Sequence, residues 1–316
     1  MWLQLKMYLV MGAFFAIIYS LIVAAGTYMG FGVGNFMFYG ILATVMMLVQ
    51  YMIGPKIVDW SMRVHYVTEQ EEPELHRMVA ELSRKAGIPK PRIGISKIAV
   101  PNAFAFGRWT KDARVCITEQ IRNLLTKEEL KAVLGHEISH VKHKDVLIIT
   151  LISIVPTIAW YMAWNFMFSR DREGNSNFAI GIAAFGIYFL TNLLVLYASR
   201  IREYAADQGS VKLGNRPSVM ASALFKLVYG SARVPKATLK QTEGMKAFFA
   251  NDPSRAMREL RELKELDVDG SGSIDDSELM RVRTKKVKVS GADKFMEMMS
   301  THPNMVKRVQ ALSKLN

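Results

Sequence analysis

Four long apolar runs punctuate this chain, and mixed, charged sequence fills the gaps between them. Met7 to about Tyr28 has no charge after Lys6, and Phe36 to Ile53 follows almost at once. Each is long enough to cross a bilayer. The link between them, Gly30-Phe-Gly-Val-Gly-Asn35, has no Lys or Arg and is expected outside. A cleaved signal peptide fits the first run less well. The run exceeds a typical apolar signal core, its leading segment is barely basic, and a second span follows directly. A third run covers residues 146–168 and a fourth residues 178–199, joined by the polar turn Ser169 to Asn177.

The intervening sequence has other periods. Glu69 to Ala86 predicts an amphipathic helix with Leu75, Met78, Val79 and Leu82 on one face. Arg92 to Lys97 and Arg114 to Thr118 predict strands. Pro101-Asn-Ala-Phe-Ala-Phe-Gly107 alternates small and aromatic residues. It reads either as one more strand or as an edge strand able to pair with an extended peptide. Thr126 and Glu129 have capping-box spacing, and Leu130, Val133, Leu134, Ile138 and Val141 recur at helical intervals behind them. The expected fold is a mainly α integral membrane protein: four transmembrane helices plus an α+β domain with a small edge-strand sheet. Residues 1–54 hold the first two spans and residues 146–199 the second two. Residues 55–145 and 200–316 supply the two parts of the domain.

Half of the residues are hydrophobic, yet the net charge is +13. A soluble nucleic-acid binder would account for the charge and leave the apolar runs unexplained, so no nucleic-acid partner is expected. A multi-pass membrane protein accounts for both, because Lys and Arg collect on the side that is not translocated; the basic domain is therefore expected in the cytoplasm, against a lipid bilayer. The single cysteine, Cys116, lies in an apolar strand and excludes an intramolecular disulfide.

The candidate chemistry is concentrated at His136-Glu-Ile-Ser-His140. On a helix, His136 and His140 stack one turn apart and can share one Zn²⁺, with Glu137 beside the metal's open position as general base. A helical hairpin formed by the third and fourth runs returns the chain to the face from which His140 departs. Glu203, just beyond the fourth run, then completes a two-His, one-Glu zinc set, and Asp207 is spaced to accept the outer N–H of a ligating histidine. The bland alternative is an exposed juxtamembrane ion pair of Arg202 with Glu203 and Asp207. At 1.5 Å per residue the metal would stand roughly 10 Å above the membrane, with Lys142, Lys144, Arg200 and Arg202 at headgroup level.

These segments together resemble the HtpX-type heat-shock membrane zinc proteases, relatives of the CAAX prenyl endopeptidases. The resemblance rests on Pro101-Asn-Ala-Phe-Ala105, His136 to Asp145, Ser199-Arg-Ile-Arg-Glu-Tyr-Ala-Ala-Asp207, and Thr301-His-Pro303 followed by Arg308. It implies an endopeptidase degrading misfolded membrane proteins from the cytoplasmic side, with polypeptides as substrates. It also implies that Asn102, Ala103, Phe104 and Ala105 bind substrate backbone and that His302 stabilises the tetrahedral intermediate. By its residues alone, Thr301-His-Pro303 reads equally as a helix start, with Thr301 as cap and Pro303 in the first turn.

One segment stands apart from that family. Asp267-Val-Asp-Gly-Ser-Gly-Ser-Ile-Asp-Asp-Ser-Glu278 resembles the EF-hand loop position by position. Asp267, Asp269, Ser271, Ser273, Asp275 and Glu278 occupy the ligand positions for Ca²⁺, and Gly272 the sharp turn. An incoming helix is expected with Met257, Leu260, Leu263 and Leu266 on one side, and a short outgoing helix follows. An intramembrane protease is disfavoured by the charges of Lys142, Lys144 and Asp145 beside the motif. A non-enzymatic Ca²⁺-responsive adaptor with structural zinc is the alternative of another class; Glu137 speaks against it, since a structural site needs no free carboxylate.

Overall fold

The structure is a computed structural model that describes residues 51–168, 176–235, 238, 256–284 and 296–315. The first expected span and most of the second lie outside the described residues, as does most of the polar turn after residue 168. The chain divides into two compact units: residues 1–53 with 147–199, and residues 54–146 with 200–316.

Within the first unit lie the apolar stretches of two helices, α4 (Asp145–Phe168) and α5 (Phe178–Lys212), each of which also extends into the second. Their apolar windows have a mean hydropathy of 2.1, and only 29% and 17% of those windows is buried. Ile152, Val155 and Ala198 form a small core, and Trp160 packs on Tyr188 with ring centroids 5.2 Å apart. Leu190 and Trp164 remain exposed. Both helices are thus long and apolar enough to cross a membrane.

The second unit is built on a four-stranded mixed sheet in the order β1 (Val64–Tyr66), β2 (Arg92–Ser96), β4 (Arg114–Thr118), β3 (Ala103–Phe106). β2 and β4 run parallel, with Gly94 opposite Cys116; β3 runs antiparallel to β4, with Phe104 opposite Cys116. Strand alternation sends Phe104, Phe106 and Cys116 to one face, against Val58 and Met62. Ala103, Val115 and Ile117 go to the other, where α1 (Pro73–Ala86) and α3 (Lys127–Lys142) cover them through Leu75, Val79, Leu82, Leu134 and Ile138. α1 begins at Pro73, four residues later than its pattern predicts. Proline suits a helix's first turn because it lacks an N–H, and Thr68 and Glu71 close a separate turn, the Thr68 N–H donating to Glu71 Oε2 at 2.7 Å. Gly87 stops α1 with φ of 71°, the left-handed conformation that favours glycine.

After the short α2 (Glu119–Leu124) and α3, the chain returns along α5 and adds α6 (Pro217–Ala232), α7 (Ala256–Lys264), α8 (Asp276–Thr284) and α9 (Met305–Leu312). These last four share a second core of Met220, Leu224, Leu260, Leu263, Leu279 and Val309. Met257, expected on the buried side of α7, is instead exposed.

Candidate metal centre

Local signals hold α3 in place first. The Thr126 N–H donates to Glu129 Oε2 at 2.8 Å and the Glu129 N–H donates to Thr126 Oγ1 at 3.3 Å, both bonds of a capping box. One turn separates His136 from His140, and their Nε2 atoms lie 3.0 Å apart. His136 and Glu137 are both buried.

α5 approaches α3 closely because small residues line the crossing. A Cβ on Gly209 would fall 2.1 Å from Ser139 Oγ and 2.6 Å from Ser139 Cβ. One on Gly135 would meet Asn215 Nδ2 at 2.6 Å and Ser210 Oγ at 2.9 Å. Ser210 Oγ then donates across the crossing to the Ala132 carbonyl at 2.6 Å. This approach brings Glu203 to the histidines: its Oε2 is 3.6 Å from His136 Nε2 and its Oε1 is 3.6 Å from His140 Nε2. Donor atoms around a tetrahedral Zn²⁺ with bonds of about 2.0–2.1 Å are separated by roughly 3.3 Å. The separations of 3.0, 3.6 and 3.6 Å bracket that value, so the residues fit a tetrahedral ion with one position left over.

Buried charge surrounds this triplet. Asp207 Oδ1 is 2.9 Å from His136 Nδ1. The fully buried Arg308 donates from Nε to Asp207 Oδ2 at 2.9 Å and from Nη2 to Asp207 Oδ1 at 2.7 Å, and its Nη1 stands 3.0 Å from Glu203 Oε2. Burial would raise both carboxyls, but His302 and Arg308 hold Glu203 well below its ordinary range, and Arg308 with the His136 hydrogen bond holds Asp207 down. Both are therefore anionic at neutral pH. Burial opposes charge on His136, yet its bonds to Asp207 and Glu203 push it up to about 9 in the metal-free protein. His140 is pushed down to about 4 by burial and by neighbouring His136.

His302 is buried, and its Nδ1 lies 3.5 Å from Glu203 Oε2; among the described residues neither ring nitrogen has a closer hydrogen-bond partner. Thr301 does not cap a helix. The cap of α9 is Asn304, whose side chain accepts from the Val306 N–H at 2.9 Å, which leaves His302 in the turn before it. Two of the basic residues expected at headgroup level are also engaged within the protein. Arg202 is buried in an ion pair with Asp145, and Arg200 Nη1 donates to the carbonyls of Glu297, Met298 and Ser300 at 2.9, 3.0 and 2.7 Å. Burial of Arg202, Glu203 and Asp207 likewise removes the exposed-ion-pair alternative.

β3 lies at an edge of the sheet, packed on α3. The Thr118 N–H donates to the Asn102 carbonyl at 2.9 Å and the Asn102 N–H donates to Thr118 Oγ1 at 2.9 Å. Hydrogen-bonded pairs recur every second residue in an antiparallel ladder, so the polar groups of Phe104 also turn towards β4. Those of Ala103 and Ala105 turn to the outer edge.

The acidic loop brings Asp267, Asp269 and Glu278 within reach of a common ion. Gly270 and Gly272 take φ of 69° and 77°. Asp275 turns instead to the start of α8, its Oδ1 accepting from the Glu278 N–H at 2.8 Å and from Ser277 Oγ at 2.9 Å. Glu278 accepts from the Val268 N–H at 2.6 Å and the Asp275 N–H at 3.1 Å, which closes the loop.

Two histidines one helical turn apart, a carboxylate from a second helix and a carboxylic residue inside the motif are the set of a metal-dependent hydrolase. Residues 69–316 match Peptidase family M48; the chain belongs to that family and is a metalloprotease. It is 53% identical over 226 residues to "Protease HtpX homolog" of Methanothermobacter thermautotrophicus, covering 72% of this chain and 86% of that one. It is 35% identical over 273 residues to "Protease HtpX homolog 2" of Methanosarcina acetivorans, covering 84% and 81%. Among solved structures it is similar to S. mikatae Ste24p, with 17% identity and a TM-score of 0.49 over 98% of this chain and 64% of that one. Membership of a peptidase family does not favour the adaptor alternative.

Proposed function

We propose that this protein is a membrane-embedded zinc endopeptidase that cleaves cytoplasmic regions of misfolded membrane proteins. The observation that carries the reading is the convergence of His136 Nε2, His140 Nε2 and the Glu203 carboxylate at 3.0–3.6 Å, with Glu137 buried beside them. Zinc, when bound there, supplies Lewis acidity towards the attacking water and the scissile carbonyl. Glu137 takes the proton from that water and delivers it to the leaving amine. His302, buried with its ring beside Glu203, donates to the developing oxyanion. Asp207 accepts from His136 Nδ1 and orients its ring.

The substrate backbone adds to β3. The outward groups of Ala103 and Ala105 support that mode, while the backbone of Asn102 is committed to Thr118 and Phe104 packs in the core. The four apolar runs of the sequence support four spans, and the excess of Lys and Arg between and after them supports a cytoplasmic domain. The EF-hand spacing and the Asp267, Asp269, Glu278 group support Ca²⁺ as the ion of the acidic loop, with Ser271, Ser273 and Asp275 adding oxygens after Asp275 leaves the start of α8. An unfolding midpoint indifferent to added Ca²⁺ would remove that assignment.

The test uses full-length protein in detergent, stripped with chelator and given back Zn²⁺, acting on an unfolded model polypeptide. Glu137→Gln is expected to keep its zinc and to lose cleavage by about 10²–10⁴-fold, the usual contribution of a general base. Undiminished cleavage by that variant would overturn the assignment.

A further inference from the structure

His136 and His140 present the same atom, Nε2, towards Glu203, and each must hold its ring by Nδ1. For His136 the holder is Asp207, itself held by Arg308. The second histidine has a holder that its sequence neighbourhood does not suggest. Asp145 Oδ2 lies 2.5 Å from His140 Nδ1, and Asp145 is in turn ion-paired with Arg202. Asp145 and Arg202 are 7% and 3% exposed, so this is an interior pair rather than a surface one.

The contact requires a break in the helix. Five residues along a continuous α-helix turn the side chain about 140° away from the starting face. Here α3 ends at Lys142 and Lys144 takes φ of 57°, a left-handed conformation that side chains rarely adopt. That single strained residue swings the first residue of α4 back over His140. Backbone strain of this kind persists where surrounding contacts over-determine it. Arg202 directly precedes Glu203 on α5, so one helix delivers both a candidate ligand and the cation that fixes the carboxylate behind another ligand.

We infer that Asp145 and Arg202 are positioning residues for His140, forming a His140–Asp145–Arg202 relay that parallels His136–Asp207–Arg308. A carboxylate accepting from Nδ1–H places the lone pair on Nε2, where a metal needs it, and fixes the rotation of the ring. With both rings held in this way the positions of the two Nε2 atoms are preset before metal arrives. The inference rests on His136, His140 and Glu203 being the zinc ligands.

The experiment measures zinc affinity directly, by competition with a chromophoric chelator, on the full-length detergent-solubilised protein. Asp145→Asn and Arg202→Gln are expected to weaken zinc binding about 10–100-fold, as loss of such outer partners commonly does. Arg202→Lys, which keeps the charge, should recover most of it. The Co²⁺-substituted Asp145→Asn protein should also show a shifted d–d absorption band. A merely structural ion pair would lower the unfolding temperature of the zinc-free variants and leave zinc affinity and the Co²⁺ band at wild-type values; that result overturns the relay. If Asp145→Asn does not fold, Asp145→Glu decides, with weakened zinc binding expected and unchanged binding overturning the proposal. Failure of the wild-type chain to take up zinc would sink the ligand assignment itself, a distinct outcome.

Discussion

Arg308 offers the sharpest test of how the centre is held together. Its guanidinium has no exposure and bridges two buried carboxylates, bidentate to Asp207 at 2.9 and 2.7 Å and 3.0 Å from Glu203. Replacing it with methionine keeps most of the volume and leaves the two anions only the protonated His136 as a close cation. Removing one partner of a buried pair costs about 3–5 kcal/mol, because the remaining charge stays desolvated. For a domain of this size, roughly 2–4 °C per kcal/mol, the zinc-free Arg308→Met protein should melt roughly 6–20 °C below the wild type. Zinc should narrow the gap, since a divalent ion at Glu203 neutralises one of the stranded carboxylates. Arg308→Lys should fall in between, as an ammonium keeps the charge and cannot grip Asp207 bidentately. Thermal unfolding of zinc-free and zinc-loaded protein provides the comparison. A zinc-free Arg308→Met midpoint within a degree or two of wild type would refute the view that this arginine neutralises the site.

Two further outcomes follow from the same geometry. Gly209→Ala should force α5 away from α3, costing about 1–3 kcal/mol by overpacking and weakening zinc binding, and Ser139→Gly in the same chain should restore both; a Gly209→Ala protein with wild-type zinc affinity would contradict the close crossing. Zinc uptake should be linked to pH through His136. Raised to about 9 in the metal-free fold, this imidazole is protonated at neutral pH, whereas His140, lowered to about 4, is already neutral. Between pH 6 and 8 each zinc bound should therefore release about one proton and apparent affinity should climb about tenfold per pH unit. By linkage, the stability that protonated His136 lends the zinc-free fold is fully present below pH 6.5, its unfolded value, and is lost as pH rises through about 9. Indicator-dye titration and a series of melts check both signs; proton-free zinc uptake would contradict the first.

Much of this protein was legible in one dimension because the relevant interactions are local. Hydrophobic period placed α4 and the start of α5, the Thr126–Glu129 spacing placed the start of α3, and four-residue spacing placed His136 above His140. Glu203 and Asp207 were within reach because a hairpin of two helices returns the chain to its point of departure. Boundaries failed where a single residue outweighed the pattern, as at Pro73, and the Thr301 cap failed because the helix starts later, at Met305, with Asn304 as its cap.

What only the tertiary structure decided is the fate of the charges. Arg202, Arg308 and Asp145 have the residue types of a basic membrane-proximal surface, and nothing in their spacing separates a solvated side chain from a buried one. Burying an ion is unfavourable unless a partner of opposite sign is already in place, and those partners come from α4, α5 and α9, distant along the chain. Gly135 and Gly209 belong to the same class: their lack of a side chain acquires meaning only when two helices cross over them. The sequence alone therefore determined which side chains could bind a metal, since that depends on residue type and helical period. Only the packing of helices against one another determined which charges hold those side chains still, because desolvation and ion pairing are properties of the assembled interior.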